Sequence, residues 1–429
     1  MPSNKFFLTL LLLISAVSLG AQINTYSPYS RYGVGDLRKP GFGQNLSMGF
    51  SGIGYRSSRA INYLNPASYS SLDTMSFIFD FGLNTRLTKY ETEDMSGNLW
   101  NSNIHHIGIA FPFTRWWKAA VGISPYSSVG YNIVDKQSDP DIGLLDYYFE
   151  GNGGLNNFFL GTSISLIDHF SIGLNYSYYF GYLNNNQRVI FPVGENYART
   201  YVMDTTLIRD GVLDFGFQYH DIFADKYFLN LGATYNAKTS LKSNQTTVIQ
   251  NYFPGSSAEV GDTLVLSPVF VLDRSEKEGE FIYPQGYGIG VSFGILNKLN
   301  IMGDYYIQNW GESSVMGIND YLVNSSTMKF GTEFIPDYQA LRGYYNRIHY
   351  RLGGYFSNTY LSIRGEQLQD YGITFGVGLP FKGTKTTFNL GMVLGQRGTL
   401  KNNLIKENYG IINVSFTLYD FWFLKRKFD

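Results

Sequence analysis

The chain of 429 residues contains no cysteine and few charged side chains. The absence of cysteine excludes disulfide scaffolds, cysteine-based zinc sites, thiol nucleophiles and lipid attachment to an N-terminal cysteine. Only 16% of the residues are charged, against about a quarter in an ordinary soluble domain. The 33 basic and 34 acidic side chains leave a net charge of −1, so we expect no cationic surface for nucleic acid.

Long hydrophobic runs are also scarce, and the one present lies at the N-terminus. Lys5 is followed by an uncharged, mostly apolar stretch from Phe6 to Ala21 that ends in small residues. This pattern predicts a cleavable signal peptide over residues 1–21, with Gln22 as the first exported residue; a retained anchor helix is the alternative. No later apolar run reaches the roughly 18 residues of a transmembrane helix. A soluble exported protein or a transmembrane β-barrel remains.

Aromatic residues and glycine are abundant, and they follow a period of two. In residues 74–84, Phe79 and the apolar residues around it alternate with Asp80 and other small or polar residues. The same alternation recurs in the segments 286–294, 371–379 and 388–395, and less regularly in 299–307. Repeated segments of about ten alternating residues are typical of outer-membrane strands, although a soluble β-sandwich also alternates.

The lengths of the connections favour the barrel. Short connections such as 112–115 and 296–298 alternate with long ones such as 246–281, as in bacterial barrels with short periplasmic turns. We therefore predict an all-β fold, a transmembrane antiparallel β-barrel of about 14 strands over residues 74–421, followed by a periplasmic tail at 422–429. The predicted strands are 74–87, 103–113, 117–134, 146–165, 169–182, 200–219, 226–245, 282–294, 298–309, 323–335, 345–359, 368–381, 385–398 and 408–421.

Residues 22–73 do not fit a membrane-spanning strand. They are rich in glycine, serine, asparagine and tyrosine and are interrupted by Pro28, Pro40 and Pro66. A barrel of about 14 strands is wider than the roughly eight-stranded barrel that side chains alone can fill. We therefore expect residues 22–73 to form an N-terminal luminal hatch; a disordered periplasmic tail is the alternative.

A short motif in this region carries a family resemblance. Residues 46–68 contain a glycine-rich run followed by Asn65, Pro66 and Ala67, just before the first predicted strand. This arrangement resembles the hatch of the FadL-type outer-membrane transporters of long-chain fatty acids and aromatic hydrocarbons. Residues 27–36 and the C-terminal residues 422–429 resemble divergent members of that family from Bacteroidota. The resemblance implies a location in the cell outer membrane and a hydrophobic small molecule as the ligand.

The family resemblance also implies that ligand leaves sideways through a window at a kinked third strand. Here the third predicted strand contains Pro125, with Gly122 and Gly130 on either side. Proline cannot donate to the strand ladder and glycine weakens a strand, so we expect the lateral opening at these residues. The alternative is that Ser124 and Pro125 begin a loop.

Four glycines share one phase of another strand. Gly286, Gly288, Gly290 and Gly294 alternate with apolar residues and should face the lumen. They do not form a dinucleotide loop, because no helix follows them. Their missing side chains favour close approach of a packed hatch, with tuning of barrel curvature as the alternative.

No catalytic site, metal site or cofactor is predicted, so we expect a protein that is not an enzyme. The five histidines have no recognisable metal spacing, and His105 shares its phase with Ile107, which we expect to face lipid. The expected partners are outer-membrane lipid and a hydrophobic ligand. The alternative function is a non-transporting barrel subunit of a Bacteroidota outer-membrane secretion or barrel-assembly complex, with protein partners in that complex.

Overall fold

A computed structural model of the chain describes residues 25–191, 199–252, 257–260, 263–266 and 270–421. The predicted signal peptide and the predicted C-terminal tail lie outside the described residues, so both stay predictions. In the part of the chain that the structure describes, no helix has the length and apolar character needed to cross a membrane.

Fourteen antiparallel strands form a closed barrel, as the alternation predicts. Each strand pairs with the next, and the last strand pairs with the first from Ser76 opposite Phe421 to Glu91 opposite Lys406. Three of the strands consist of two segments. The strands are β1 (Ser76–Glu91), β2 (Ser96–Pro112), β3 (Trp117–Pro125 and Ser127–Asp139), β4 (Gly143–Ile167), β5 (Phe170–Ile190), β6 (Arg199–Phe223), β7 (Tyr227–Asn236 and Thr239–Tyr252), β8 (Phe270–Tyr283 and Gly286–Ile295), β9 (Leu299–Gln308), β10 (Ser325–Phe334), β11 (His349–Ile363), β12 (Glu366–Pro380), β13 (Thr387–Arg397) and β14 (Lys406–Phe421).

The predicted strands all overlap observed strands in the same order, but several predicted long loops are wrong. The predicted loops 88–102, 135–145 and 360–367 are mostly strand, which leaves turns at 92–95, 140–142 and 364–365. The reason is that alternation disappears once both faces of a strand meet water, while backbone pairing continues. The barrel therefore extends in long β-hairpins at the end that we call the hairpin end. The opposite end, with turns such as 113–116 and 296–298, is called the short-turn end.

Apolar side chains cover the outside of the barrel. Phe375 is 42% exposed while its neighbour Thr374 is fully buried, and Phe330 is 63% exposed while Lys329 is 7% exposed. Aromatic residues cluster near the short-turn end, among them Phe113, Trp116, Trp117, Phe223 and Phe381. An apolar band bordered by aromatic side chains is the outer surface expected of a barrel in a bilayer.

Arginine on this outer band should destabilise the barrel. We expect Phe375→Arg to lower the free energy of unfolding by about 2 to 4 kcal/mol, because the guanidinium would lie in hydrocarbon. Urea titration of folding into lipid vesicles measures the loss. Asp80 is a poor inward control, since it is buried and bonded to His106 and Thr417. Thr327, which lines a luminal cavity, is the inward control site, and Thr327→Arg should lower the free energy of unfolding much less. An equal decrease for Phe375→Arg and Thr327→Arg would contradict the assignment of outward and inward faces.

The residues before β1 pack against the inner wall on several sides. We call residues 25–73 the hatch segment; it contains a 3-10 helix (Pro28–Arg31), a short strand (Asp36–Leu37), an α-helix (Gly43–Ser47) and a second 3-10 helix (Pro66–Ser71). The α-helix contacts β12, β13 and β14, while the second 3-10 helix contacts β4, β5 and β6. Most of the segment is buried, including polar residues. The remaining short elements are 3-10 turns at Trp310–Glu312, Tyr344–Arg347 and Lys401–Asn403, and a hairpin of Ser257–Val260 with Thr263–Leu266.

Candidate ligand cavity beside a broken strand

The wall of the barrel is interrupted at β3. Its first segment pairs with β2 from Ile107 opposite Ile123 to Pro112 opposite Lys118, and with β4 on its other side. The second segment, Ser127–Asp139, pairs with β4, and its ladder contains no residue of β2. Among the described residues, the ladder between β2 and β3 therefore stops at Ile107, which leaves a gap in the backbone pairing of the wall.

The local sequence explains the break. Pro125 ends the first segment and has no N–H to donate, while Tyr126 N donates to Leu155 O at 2.8 Å. Pro125 pairs with Asn156 and Val129 pairs with Gly153, so β3 has one residue more than β4 between these two pairs. This mismatch is a β-bulge, and it turns the second segment away from the line of the first.

Glycines of β4 and β5 make the bulge feasible. Gly153 and Gly154 have φ angles of +114° and +148°, and Gly181 has +153°. A side chain is strained in this region of φ, and a Cβ on Gly154 would collide with the backbone oxygen of Ser127. The bend therefore depends on β4 and β5 as well as on Pro125.

The three residues expected at the lateral opening have different surroundings. Pro125 borders the break. Gly130 lies on the displaced segment, where its N–H donates to Ser30 Oγ at 3.0 Å and its carbonyl accepts from the same hydroxyl at 3.1 Å. Gly122 lies in the intact ladder, where a Cβ would be 2.7 Å from Ile107 O. Its role is thus close packing rather than a border of the gap.

The displaced segment of β3 pairs with the hatch segment. Asp36 lies opposite Ser128 and Leu37 opposite Ser127 in an antiparallel ladder. Arg38 N donates to Tyr126 O at 2.8 Å, and the Arg38 guanidinium donates to Ser128 Oγ at 3.2 Å. The position of the broken strand is therefore tied to that of the hatch segment.

Buried ion pairs hold the same short strand from the other side. Asp36 is paired with Arg397 of β13 and lies 3.4 Å from Arg86 Nη1 of β1. Arg397 Nη2 is 2.7 Å from Glu407 Oε2, which completes a cluster of two cations and two carboxylates. Burial alone would raise the pKa of Asp36, but the guanidinium groups of Arg397 and Arg86 outweigh burial and hold this pKa below its ordinary range. Asp36 therefore stays ionised at neutral pH, and its stabilising effect is lost only in strong acid.

A second cation anchors the next residues of the hatch segment. Lys39 is paired with Asp370 of β12, and Tyr409 OH donates to Asp370 Oδ1 at 2.6 Å. The Lys39 ammonium also lies 4.5 Å from the centre of the Tyr355 ring, within the range of a cation–π interaction. Residues 36–39 thus connect the break in β3 to strands on the far wall.

A cavity of about 260 Å³ lies between the hatch segment and the break. Pro125 and Tyr126 of the broken strand line it, together with Leu37 and Phe50 of the hatch segment. Aromatic wall residues complete the lining, namely Tyr179, Tyr283, Tyr306, Tyr355 and Tyr360. Charged residues also line the cavity, among them Lys39, Asp214 and Asp370. Small-molecule sites usually combine an apolar surface with polar groups that orient the ligand. We call it the break cavity.

The Asn65–Pro66–Ala67 triplet joins the hatch segment to the wall. Asn65 Nδ2 donates to Ile53 O at 2.8 Å and to Phe217 O of β6 at 3.0 Å, while its Oδ1 accepts from Ala67 N at 3.1 Å. Pro66 fits against a glycine of β6, since a Cβ on Gly216 would lie 2.7 Å from Pro66 Cδ. Asn65 is therefore a structural bridge as well as the cap of the second 3-10 helix.

The four glycines of β8 have different neighbours. A Cβ on Gly290 would lie 2.7 Å from Gly54 N, and one on Gly288 would lie 2.6 Å from Ile53 Cδ1. A Cβ on Gly286 would lie 2.6 Å from the hydroxyl oxygen of Tyr306, and one on Gly294 would collide with the backbone of Leu299. Close approach of the hatch segment thus accounts for two of the four positions.

The expectation that His105 faces lipid is wrong. A register shift in the β1–β2 ladder between Gly82 and Leu83 leaves His105 as an extra residue of β2. His105 Nδ1 lies 2.7 Å from His106 Nδ1, and His106 Nε2 lies 2.7 Å from Asp80 Oδ1. Among the described residues, no group of three or more potential metal ligands occurs.

Comparison with solved structures identifies the fold of the barrel. The barrel has the same fold as a FadL homologue and two toluene transporters of known structure. The crystal structure of the Pseudomonas putida toluene transporter TodX is 14% identical, matches 91% of this chain and 100% of that chain, and gives a TM-score of 0.58. A Pseudomonas aeruginosa FadL homologue is 11% identical, with 90% and 100% covered and a TM-score of 0.57. The Ralstonia pickettii toluene transporter TbuX is 11% identical, with 88% and 97% covered and a TM-score of 0.53.

Comparison of the sequence with protein-family models identifies the family. The BamG family model matches residues 3–429, so the chain belongs to the BamG family. A search of curated proteins gives no match. The identities to the solved structures are low and support the fold alone. The expected Bacteroidota origin stays a prediction.

Proposed function

We propose that the protein is an outer-membrane channel for hydrophobic small molecules of the fatty acid or aromatic hydrocarbon class. The observation that carries the proposal is the break cavity, which is lined by aromatic and other apolar residues together with charged ones. Pro125 and Tyr126 place it at the point where the ladder between β2 and β3 stops. Two of the structurally similar proteins are named as toluene transporters, which agrees with this ligand class.

The proposed route is passive and lateral. A ligand enters the break cavity, the hatch segment shifts, and the ligand leaves through the gap between β2 and the second segment of β3 into the bilayer. The ladder of Asp36 and Leu37 with Ser128 and Ser127 supports this coupling, because the hatch segment cannot shift there without releasing the displaced strand. The hydrophobic ligand itself drives the exit, since lipid tails solvate it better than water does.

A second candidate function is a non-transporting barrel subunit that docks protein partners. The observation in its favour is the strong anchoring of the hatch segment, whose Asp36 and Lys39 both form ion pairs with wall strands. A lumen filled by a firmly anchored segment suits a rigid scaffold. This candidate predicts no uptake of hydrophobic molecules.

Repair of the broken strand tests the channel. Replacing Ser124 by Thr and Pro125 by Val restores a backbone donor and two good strand formers. We expect uptake of labelled laurate or toluene by cells to fall several-fold, while the amount and heat-modifiability of the barrel stay normal. Pro380→Val, which removes a proline at the end of β12, is the matched control and should leave uptake unchanged. Wild-type uptake at background for several hydrophobic ligands would reject the channel in favour of the docking subunit.

A further inference from the structure

A second cavity, of about 520 Å³, lies at the short-turn end of the lumen. Its charged lining is unbalanced: Arg56, Arg59, Lys298 and Arg351 are basic, and Glu333 is the one carboxylate among the lining residues. This cavity shares no lining residue with the break cavity. We call it the basic cavity.

The single carboxylate is already neutralised. Arg351 Nε lies 2.8 Å from Glu333 Oε1, and His349 Nδ1 lies 3.0 Å from the same oxygen. Within the described residues, Arg56, Arg59 and Lys298 have no carboxylate oxygen within 4.0 Å. Three cations therefore line the basic cavity with no carboxylate partner among the described residues; Arg56 and Arg59 are partly buried and Lys298 is exposed.

The Arg56 guanidinium is held in place by neutral groups. It donates to Ser171 Oγ at 3.0 Å, to Gln218 Oε1 at 2.9 Å and to Ser70 Oγ at 3.0 Å. Burial lowers the pKa of Arg56 to about 10. This shift is the penalty of a cation that lacks a nearby anion, and a bound anion would offset it. The geometry is thus fixed before any ligand arrives.

Two neighbouring side chains add to this arrangement. The Arg59 guanidinium carbon lies 4.2 Å from the centre of the Tyr338 ring, which orients its fork, and Arg59 Nη2 donates to Asn297 Oδ1 at 3.4 Å. His220 also lines the cavity, and its buried Nδ1 has no hydrogen-bond partner among the described residues. An unpartnered buried nitrogen is costly unless a ligand or water bonds to it.

We propose that the basic cavity binds a phosphate group, held by Arg56 and Arg59 with Lys298 and His220 at its border. A phosphate dianion suits three unpaired cations better than a singly charged carboxylate does, and arginine forks match its oxygens. The group comes either as inorganic phosphate or as the headgroup of a phosphomonoester amphiphile. Because Arg56 and Arg59 belong to the hatch segment while Lys298 belongs to the turn before β9, the bound anion would also fasten the hatch segment to the wall.

Calorimetric titration of the full-length protein in a non-ionic detergent tests the proposal. The probes are inorganic phosphate, dodecyl phosphate and, for comparison, laurate. We expect wild-type protein to bind a phosphate probe, and Arg56→Gln and Arg59→Gln each to weaken that binding about tenfold or more, because a charged hydrogen-bond donor is lost. Laurate belongs to the break cavity under the proposed function, so its binding should be the same in both variants as in wild type. Lys382→Gln removes an exposed charge from a turn at the same end, outside the cavity, and should leave binding unchanged.

The two phosphate probes separate the sources of the ligand. Equal affinity for inorganic and dodecyl phosphate supports free phosphate as the ligand, whereas binding of dodecyl phosphate alone supports a headgroup. The proposal is overturned if neither phosphate probe binds, if the arginine variants weaken laurate binding as much as phosphate binding, or if both arginine variants bind the phosphate probes like wild type. Arg59 is partly exposed, so Arg59→Gln keeps the test valid even where Arg56→Gln fails to fold. None of these readouts depends on hydrophobic uptake, so the result is independent of the proposed channel function.

Discussion

A disulfide between the hatch segment and the displaced part of β3 should stop hydrophobic uptake. Leu37 and Ser127 are directly opposite each other in an antiparallel ladder, where Cα atoms lie about 4.5 to 5.5 Å apart. That spacing fits a disulfide. The chain has no cysteine of its own, so Leu37→Cys with Ser127→Cys forms one defined bond. We expect uptake of labelled laurate to fall to background in the oxidised protein and to recover after reduction.

The matched control is a disulfide that does not involve the hatch segment. Thr85 and Ser102 are opposite each other on β1 and β2, with their hydroxyl oxygens 2.9 Å apart. Thr85→Cys with Ser102→Cys crosslinks two neighbouring wall strands and should leave uptake at the wild-type level in both redox states. Undiminished uptake by the oxidised Leu37–Ser127 pair would show that ligand passes without separation of the hatch segment from β3.

The strands were predictable because their outer faces meet a uniform environment. Lipid imposes an apolar residue at every second position, so Phe375 and Phe330 reveal both the strand and its phase. Where the strands leave that environment the constraint disappears, and residues 88–91 of β1 continue as strand without the pattern. Loop lengths therefore were not predictable from alternation, while the number and order of strands were.

The break in β3 was only partly predictable. Pro125 marks it in the sequence, because proline cannot serve in a ladder. The partners of the displaced segment give no such local signal, since Asp36 and Ser128 are far apart in the chain and meet only in the folded barrel. Gly153 and Gly154 are visible as a pair, but their positive φ angles follow from the bulge that they face. The gap therefore depends on tertiary pairing that a single strand does not encode.

The sequence contains an indication of the charged cluster in the lumen, namely charged residues at inward positions of the strands, but the alternation pattern does not identify their partners. Arg86, Arg397 and Glu407 occupy inward positions of β1, β13 and β14, where a charge needs a partner. Three charged residues on adjoining strands indicate a buried network, yet its fourth member, Asp36, lies in the hatch segment. The sequence thus predicts that partners exist without identifying them.

Deletion of residues 22–73, with residues 1–21 kept, should leave a folded barrel that conducts small ions and solutes. The expected result follows from the packing: the hatch segment contacts strands on several sides of the lumen, whereas the strand ladders close without it. A lumen of about fourteen strands is too wide for wall side chains to fill. Single-channel conductance in planar bilayers and uptake of a small polar solute by liposomes measure the change, and heat-modifiability reports the folded state.

The variant Asp36→Asn, which weakens the anchoring of the hatch segment without removing the segment, can be compared with the deletion in the same conductance measurement. Asp36→Asn leaves Arg86 and Arg397 with Glu407 as their carboxylate within the cluster, so one buried positive charge loses its partner. Loss of one partner of a buried ion pair costs about 3 to 5 kcal/mol, which should loosen residues 25–73 without removing them. We expect frequent brief openings in Asp36→Asn and a steady open level in the deletion. If the deletion conducts like the wild type, the lumen is closed by the wall or the outer hairpins, and a shift of the hatch segment cannot be the step that admits ligand.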